Sequence, residues 1–269
     1  MKKVILNALS YLKTFGFVAF INKVLHISAV AIFGRREHHI LSMLIIKHQK
    51  EINYYNERYI KLANAVGYVY GCGVRGDIAE FGTMTGRTAV VLATAIAINQ
   101  RKYILDSRNN KKLFLFDSFE GLPEARFEVD RETDLVSSNI WGKGSCSGMN
   151  EVELDCLIAK YLDQERFSII KGWFKNTVPE IPTNSKFSLI HIDGDLYESA
   201  IDVLDNMFAK KLIANGAMIL FDDWNCNAAN PKYGERKAWS EVIEKYFIEY
   251  SDAGSYGDCC HSFIVHSYK

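Results

Sequence analysis

The chain has 269 residues, 48% of them hydrophobic and 24% charged, with four prolines and no low-complexity run, so it is long enough for one large folded domain plus a small accessory segment. Lys+Arg and Asp+Glu number 32 each, which gives no net attraction to nucleic acid or to an acidic surface; no nucleic-acid partner is expected. The six cysteines lack paired metal spacings, and the vicinal Cys259-Cys260 pair cannot close an ordinary disulfide without strain, so reduced thiols in a cytoplasmic protein are expected.

Met1-Lys2-Lys3 leads into an apolar stretch from Phe15 to Gly34. Asn22, Lys23 and His26 interrupt it, and no small-residue cleavage site follows, which argues against both a signal peptide and a spanning helix of about 20 apolar residues. An amphipathic helix that covers the site, pairs subunits into a homo-oligomer, or makes peripheral membrane contact is the better expectation. From His39 to Tyr70 apolar residues recur at helical spacing (Ile40, Met43, Leu44, then Ile60, Ala63, Val66), predicting two or three helices that end at Gly71, Gly73 and Gly76. Residues 1–70 are thus read as a helical extension and 71–269 as the main domain.

After Gly76 short β-forming runs alternate with helical stretches. The predicted strands are Asp77–Phe81, Lys112–Phe116, Phe167–Ile170, Phe187–Ile192 and Ala217–Phe221, with a last one in Cys259–His266; the clearest helices are Thr88–Asn99, Asn150–Leu162 and Tyr197–Leu212. Strands apolar on both faces and alternating with helices predict an α/β fold, a Rossmann-like parallel sheet covered on both sides.

Polar residues fall at the strand ends: Glu80-Phe81-Gly82, Asp117-Ser118, Asp193-Gly194-Asp195 and Asp222-Asp223. Ligands of open α/β sheets bind at the carboxyl ends of the strands, so four such clusters mark a site. Glu80-x-Gly82-x-x-x-Gly86 opens a helix, where glycines admit close backbone approach and the helix N-terminus receives an anion. Asp117 is placed to accept from ribose hydroxyls, and Phe119 and Trp173 are candidates for an aromatic slot, although each also reads as an ordinary core residue. Such a mixed cradle suits S-adenosylmethionine (SAM). Asp193, Asp222 and Asp223 end adjacent strands, and three hard oxygen donors suit Mg²⁺, which would lower the pKa of a substrate hydroxyl.

At these residues the chain resembles the macrocin O-methyltransferase (TylF-like) family. The matching strings are Gly73-Val-Arg-Gly-Asp-Ile-Ala-Glu-Phe-Gly82, Phe116-Asp-Ser-Phe-Glu-Gly-Leu-Pro123, Lys171-Gly-Trp-Phe-Lys-Asn-Thr177, Ile192-Asp-Gly-Asp-Leu-Tyr-Glu-Ser199 and Phe221-Asp-Asp-Trp224, within roughly Glu57 to Trp239. The resemblance implies a class I SAM methyltransferase fold, SAM as methyl donor and Mg²⁺ or another divalent cation. By motif position it places Glu80, Gly82 and Gly86 along SAM, Asp117 on its ribose, and Asp193, Asp222 and Asp223 on the metal; Thr83, Met84, Ser118, Phe119 and Trp173 complete the set expected around SAM. The implied activity is transfer of a methyl group to a hydroxyl of a sugar, in a small molecule or a glycan. A phenol or catechol methyltransferase and a non-catalytic SAM binder are the rivals. The related phenol-methylating class often has a lysine three residues after the first metal aspartate, where this chain has Leu196.

Three departures stand out. Thr83-Met-Thr-Gly-Arg87 replaces a V-W-R-G-G-like string, Glu124 to Asn150 lacks the histidine that some members carry there, and the apolar N-terminus has no counterpart. Asp193 is therefore the candidate base, alongside activation by the metal. His191 shares its strand face and reads first as a core histidine; His261 is the remaining candidate. Trp141 and Trp224 either stack on a sugar or pack, and Asn225–Lys237 is a polar segment suited to contacting an acceptor.

Overall fold

Five apolar runs form parallel strands: β1 (Asp77–Phe81), β2 (Leu113–Asp117), β3 (Phe167–Lys171), β4 (Phe187–Ile192) and β5 (Ile213–Phe221). They are seen in a computed structural model that describes residues 56–103 and 110–269, all within one compact unit, Tyr55–Lys269. The expectations for the apolar stretch Phe15–Gly34 and the helices before residue 56 lie outside the described residues. No helix among the described residues is long and apolar enough to cross a membrane.

The sheet is mixed rather than wholly parallel. A terminal hairpin, β6 (Glu249–Tyr256) with β7 (Cys260–Ser267), extends it antiparallel beyond β5, giving the order β3-β2-β1-β4-β5-β7-β6. β7 is the strand expected near Cys259–His266. β6 has no apolar alternation because it is an edge strand whose first four residues are exposed.

Helices α1 (Asn56–Gly71), α2 (Arg87–Lys102), α3 (Glu151–Ile158), α4 (Tyr197–Ala209) and α5 (Gly234–Tyr246) cover both faces. On one side α1 buries Leu62, Ala65, Val66 and Val69, and α2 buries Ala89, Leu92, Ala93 and Ile96, both at the i, i+3, i+4, i+7 spacing of one helix face. On the other, Ala200, Val203, Leu204 and Met207 of α4 meet Ala238, Trp239 and Val242 of α5. Between the two cores β4, the central strand, is buried at all six positions. α3 opens on a capping box: Asn150 Oδ1 accepts from Glu153 N at 3.0 Å, and Glu153 Oε2 accepts from Asn150 N at 2.9 Å.

Candidate active site

Register determines which residues meet at the carboxyl edge. Phe81 pairs with Ile192, and Ile192 with Phe221, so Gly82, Asp193 and Asp222 emerge side by side. Asp193 N donates to Phe81 O at 2.9 Å and Asp222 N to Ile192 O at 3.0 Å, which holds the three strand ends level. They open into a cavity of about 640 Å³.

Its lining includes Gly82, Thr83, Met84, Asp117, Ser118 and Trp173, six of the nine residues expected around SAM; Glu80, Gly86 and Phe119 are not among its lining residues. Asp117 braces the Thr83-Met84 loop. Its Oδ2 accepts from Thr83 N at 2.7 Å, Thr83 Oγ1 at 2.8 Å and Met84 N at 3.3 Å, while Oδ1 accepts from Phe119 N at 2.7 Å. Four donors engage the lone pairs that a ribose would also use. The Asp-Ser-Phe-Glu-Gly string is a self-stitched turn. Phe119 adopts φ 59°, Ser118 Oγ accepts from Glu120 N at 3.0 Å, and the same hydroxyl donates to Gly121 O at 3.0 Å.

Gly82 and Gly86 answer to the protein's own packing. Gly82 has φ 95°, and a Cβ there would overlap the Asp193 carbonyl oxygen. At Gly86, with φ 70°, a Cβ would lie 2.9 Å from Leu154 Cδ1 and 3.0 Å from Leu157 Cδ2 of α3.

Behind the cavity sits a buried acid centre. His191, wholly buried, faces Glu80 on β1, with Nδ1 2.9 Å from Glu80 Oε1, and presents Nε2 3.6 Å from Asp222 Oδ1. Ligand atoms of His191, Asp193 and Asp222 all lie within 4.8 Å of one another; Asp223 falls outside that group. Asp223 Oδ1 instead accepts from Cys226 Sγ at 3.4 Å, and its Oδ2 is buried without a partner. Glu80 therefore belongs to the acid centre's floor, with Oε2 also unpartnered.

The electrostatics follow from burial. Burial, then the charges of Asp222 and Asp223, push the Asp193 carboxyl well above the usual carboxylate range, and burial with Asp195 and Asp222 does the same to Asp223. Burial acts in the same direction on Asp222 but is outweighed by His191 and Arg58, which hold it below its ordinary value. Burial also lowers His191, yet Asp222 and Glu80 reverse this and bring it up to about 10.

Several participants carried no signal in the sequence. Arg58, on the first turn of α1, places Nη1 2.9 Å from Asp222 Oδ2. Glu235, 1% exposed at the start of α5, accepts from Asp223 N at 3.0 Å; its other oxygen has no partner, and burial beside Asp223 and Asp222 raises its carboxyl well above normal. It lies in the polar run Asn225–Lys237, which resembles a solvated loop. Elsewhere on the cavity wall, Arg126 pairs with Glu198 and, at 2.9 Å, with Asp202.

Trp141 and Trp224 resolve as packing. Trp141 is 8% exposed in a cluster with Leu122 and Leu196, Trp224 is 8% exposed against Phe221, Phe263 and His261, and neither lines the cavity. His261 stacks on Trp224 and bonds Ser255 Oγ at 2.8 Å, away from the cavity lining.

The macrocin-O-methyltransferase (TylF) family model matches residues 55–245 of this chain. The chain belongs to that family. It is a SAM-dependent O-methyltransferase, and the mixed seven-stranded sheet is that of the class I SAM methyltransferases. Over 201 residues it is 30% identical to the 8-demethyl-8-(2,3-dimethoxy-alpha-L-rhamnosyl)-tetracenomycin-C 4'-O-methyltransferase of Streptomyces olivaceus, covering 70% of this chain and 69% of that one. It is 27% identical over 194 residues to demethyldecarbamoylnovobiocin O-methyltransferase of Streptomyces niveus, with 70% and 68% covered. The structure of the O-methyltransferase NovP shares the fold at a TM-score of 0.62 and 23% identity, over 78% of this chain and 80% of that one.

Proposed function

We propose that this TylF-family enzyme methylates a hydroxyl of a sugar carried on a small molecule, with a divalent cation held at the acid centre. The observation that carries the reading is the meeting of Asp193 and Asp222 with Thr83 and Met84 at one cavity, with His191 directly behind and the ligand atoms of all three acid-centre residues within 4.8 Å of one another. The buried, unpartnered Asp223 Oδ2 fits a cation ligand, and the carboxylate-rich donor set fits Mg²⁺. Asp193, Asp222 and Asp223 would hold it. Such an ion supplies Lewis-acid polarisation of a hydroxyl.

The chain's own groups do the rest. The Thr83-Met84 loop, held by Asp117, with Ser118 and Trp173, forms the rim proposed to seat SAM. Asp193 is the proposed proton acceptor, since its carboxylate lines the cavity beside Asp222 and Thr83. The segment from Leu122 to Met149, docked on α4, is proposed to exclude water and face the acceptor through Arg126 and Lys143. A sugar acceptor is supported by the relative whose name specifies a rhamnosyl 4'-O-methyl transfer. Leu196, where phenol-methylating relatives carry a lysine, is 1% exposed and packs on Leu122 and Trp141, so it offers no amine.

A mass-spectrometric screen with isotope-labelled SAM, comparing rhamnosides and other deoxysugar glycosides with catechols, tests the acceptor class. Labelled glycoside is the expected product. Labelled catechol alone would overturn the sugar reading, and SAM binding in calorimetry with no transfer to any acceptor would favour a binding protein.

A further inference from the structure

We propose that Arg58 is a built-in counter-ion of the acid centre, holding Asp222 in the cation-free enzyme and yielding that carboxylate when a divalent cation binds. The proposal rests on the metal reading given above and adds a positioning residue to it.

Both oxygens of Asp222 have neighbours: Oδ2 lies 2.9 Å from Arg58 Nη1, while Oδ1 accepts from Cys260 Sγ at 3.4 Å and lies 3.6 Å from His191 Nε2. A cation that takes Asp222 competes with these neighbours, and the surroundings decide which of them gives way. His191 is wholly buried on the central strand and tied to Glu80; Cys260 is wholly buried at the start of β7. The Arg58 side chain is 39% exposed and lines the cavity. Facing the open cavity, the guanidinium can rotate outward.

Charge drives the same exchange. A divalent ion on Asp222 would stand beside a guanidinium in a half-buried site, where like charges repel strongly. The other cations that line the cavity are directed elsewhere: Arg126 is engaged by Glu198 and Asp202, Lys143 by Glu124 at 3.5 Å, and Lys175 lends its charge to Asp202. Because cation and arginine compete for one carboxylate, each weakens the other's hold by the same factor.

Mn²⁺ binding to the SAM-free, full-length enzyme, followed by the loss of the free-ion paramagnetic resonance signal, tests this. Arg58→Gln should bind Mn²⁺ about tenfold more tightly than the parent enzyme, with Arg58→Lys in between, since an ammonium keeps the charge but loses the fork. Unchanged SAM affinity in each variant verifies that it is folded. In the parent enzyme, Mn²⁺ should also speed modification of Arg58 by phenylglyoxal, mapped by peptide mass spectrometry, several-fold over EDTA. Equal Mn²⁺ affinity in parent and Arg58→Gln, or an Arg58 modification rate indifferent to Mn²⁺, overturns the counter-ion and leaves the metal site standing. No Mn²⁺ binding to either protein overturns the metal site and the counter-ion with it.

Discussion

Asp193 and Asp222 were legible as a pair because strand ends and carboxylates are both visible in sequence, and parallel pairing brings adjacent strand ends level. Arg58 and Glu235 were not, since each reaches the centre from a helix whose docking no local pattern encodes. The glycines were legible for an incomplete reason: a ligand was the expected neighbour, whereas Gly82 meets the Asp193 carbonyl and Gly86 meets α3. Gly82→Ala should consequently cost more than about 4 kcal/mol, the size of a severe steric and backbone clash, read as a lost or sharply lowered denaturant midpoint. Asp222→Ala should weaken Mn²⁺ binding by at least about 100-fold while SAM affinity measured by calorimetry stays put. Protonation adds a third expectation. Asp193 and Asp223 are raised by burial and by their acidic neighbours, so the cation-free centre retains protons that a cation must expel. Mn²⁺ affinity should then rise with pH through the acidic range to neutrality, and calorimetry in two buffers of different ionisation enthalpy should register proton release. A pH-independent affinity would contradict it.

At the scale of elements, α4 is capped from a distance. Its N-cap residue, Leu196, has no side-chain acceptor; Asp130 supplies one, with Oδ1 accepting from Tyr197 N at 2.8 Å and Oδ2 from Glu198 N at 3.1 Å. This ties the segment over the cavity to the helix that follows Asp193 and Asp195. Asp130→Ala should cost about 1–2 kcal/mol in unfolding free energy and raise hydrogen exchange between Leu122 and Met149. Burial pushes the Asp130 carboxyl up to about 6 from an ordinary 3.8. Between those values the native chain keeps a proton that the unfolded chain has lost, so its contribution to stability falls as pH rises through that window. Asp130→Asn should flatten that fall. The capping aspartate was hidden because its target lies 67 residues further along the chain. β6 was hidden by exposure, and α5 by the polar run that precedes its buried Ala238, Trp239 and Val242.

Across the whole molecule, the alternation of strands and helices gave away the α/β class and the parallel core, and the family strings gave away the chemistry. The antiparallel β6–β7 edge was not recoverable from alternation, because β6 lacks the apolar alternation that marks a half-buried strand. Two cores clamp the sheet so that its carboxyl edge is the place where Asp193, Asp222 and Asp223, Arg58 and the Thr83-Met84 loop share a cavity. That arrangement makes metal assistance the central claim. The direct measurement is methyl transfer from labelled SAM to a rhamnoside acceptor in EDTA, followed by Mg²⁺ replenishment, with parent enzyme and Asp222→Ala side by side. Transfer that stops in EDTA, returns with Mg²⁺ and stays absent in Asp222→Ala despite intact SAM binding is the predicted result; undiminished transfer in EDTA would contradict it.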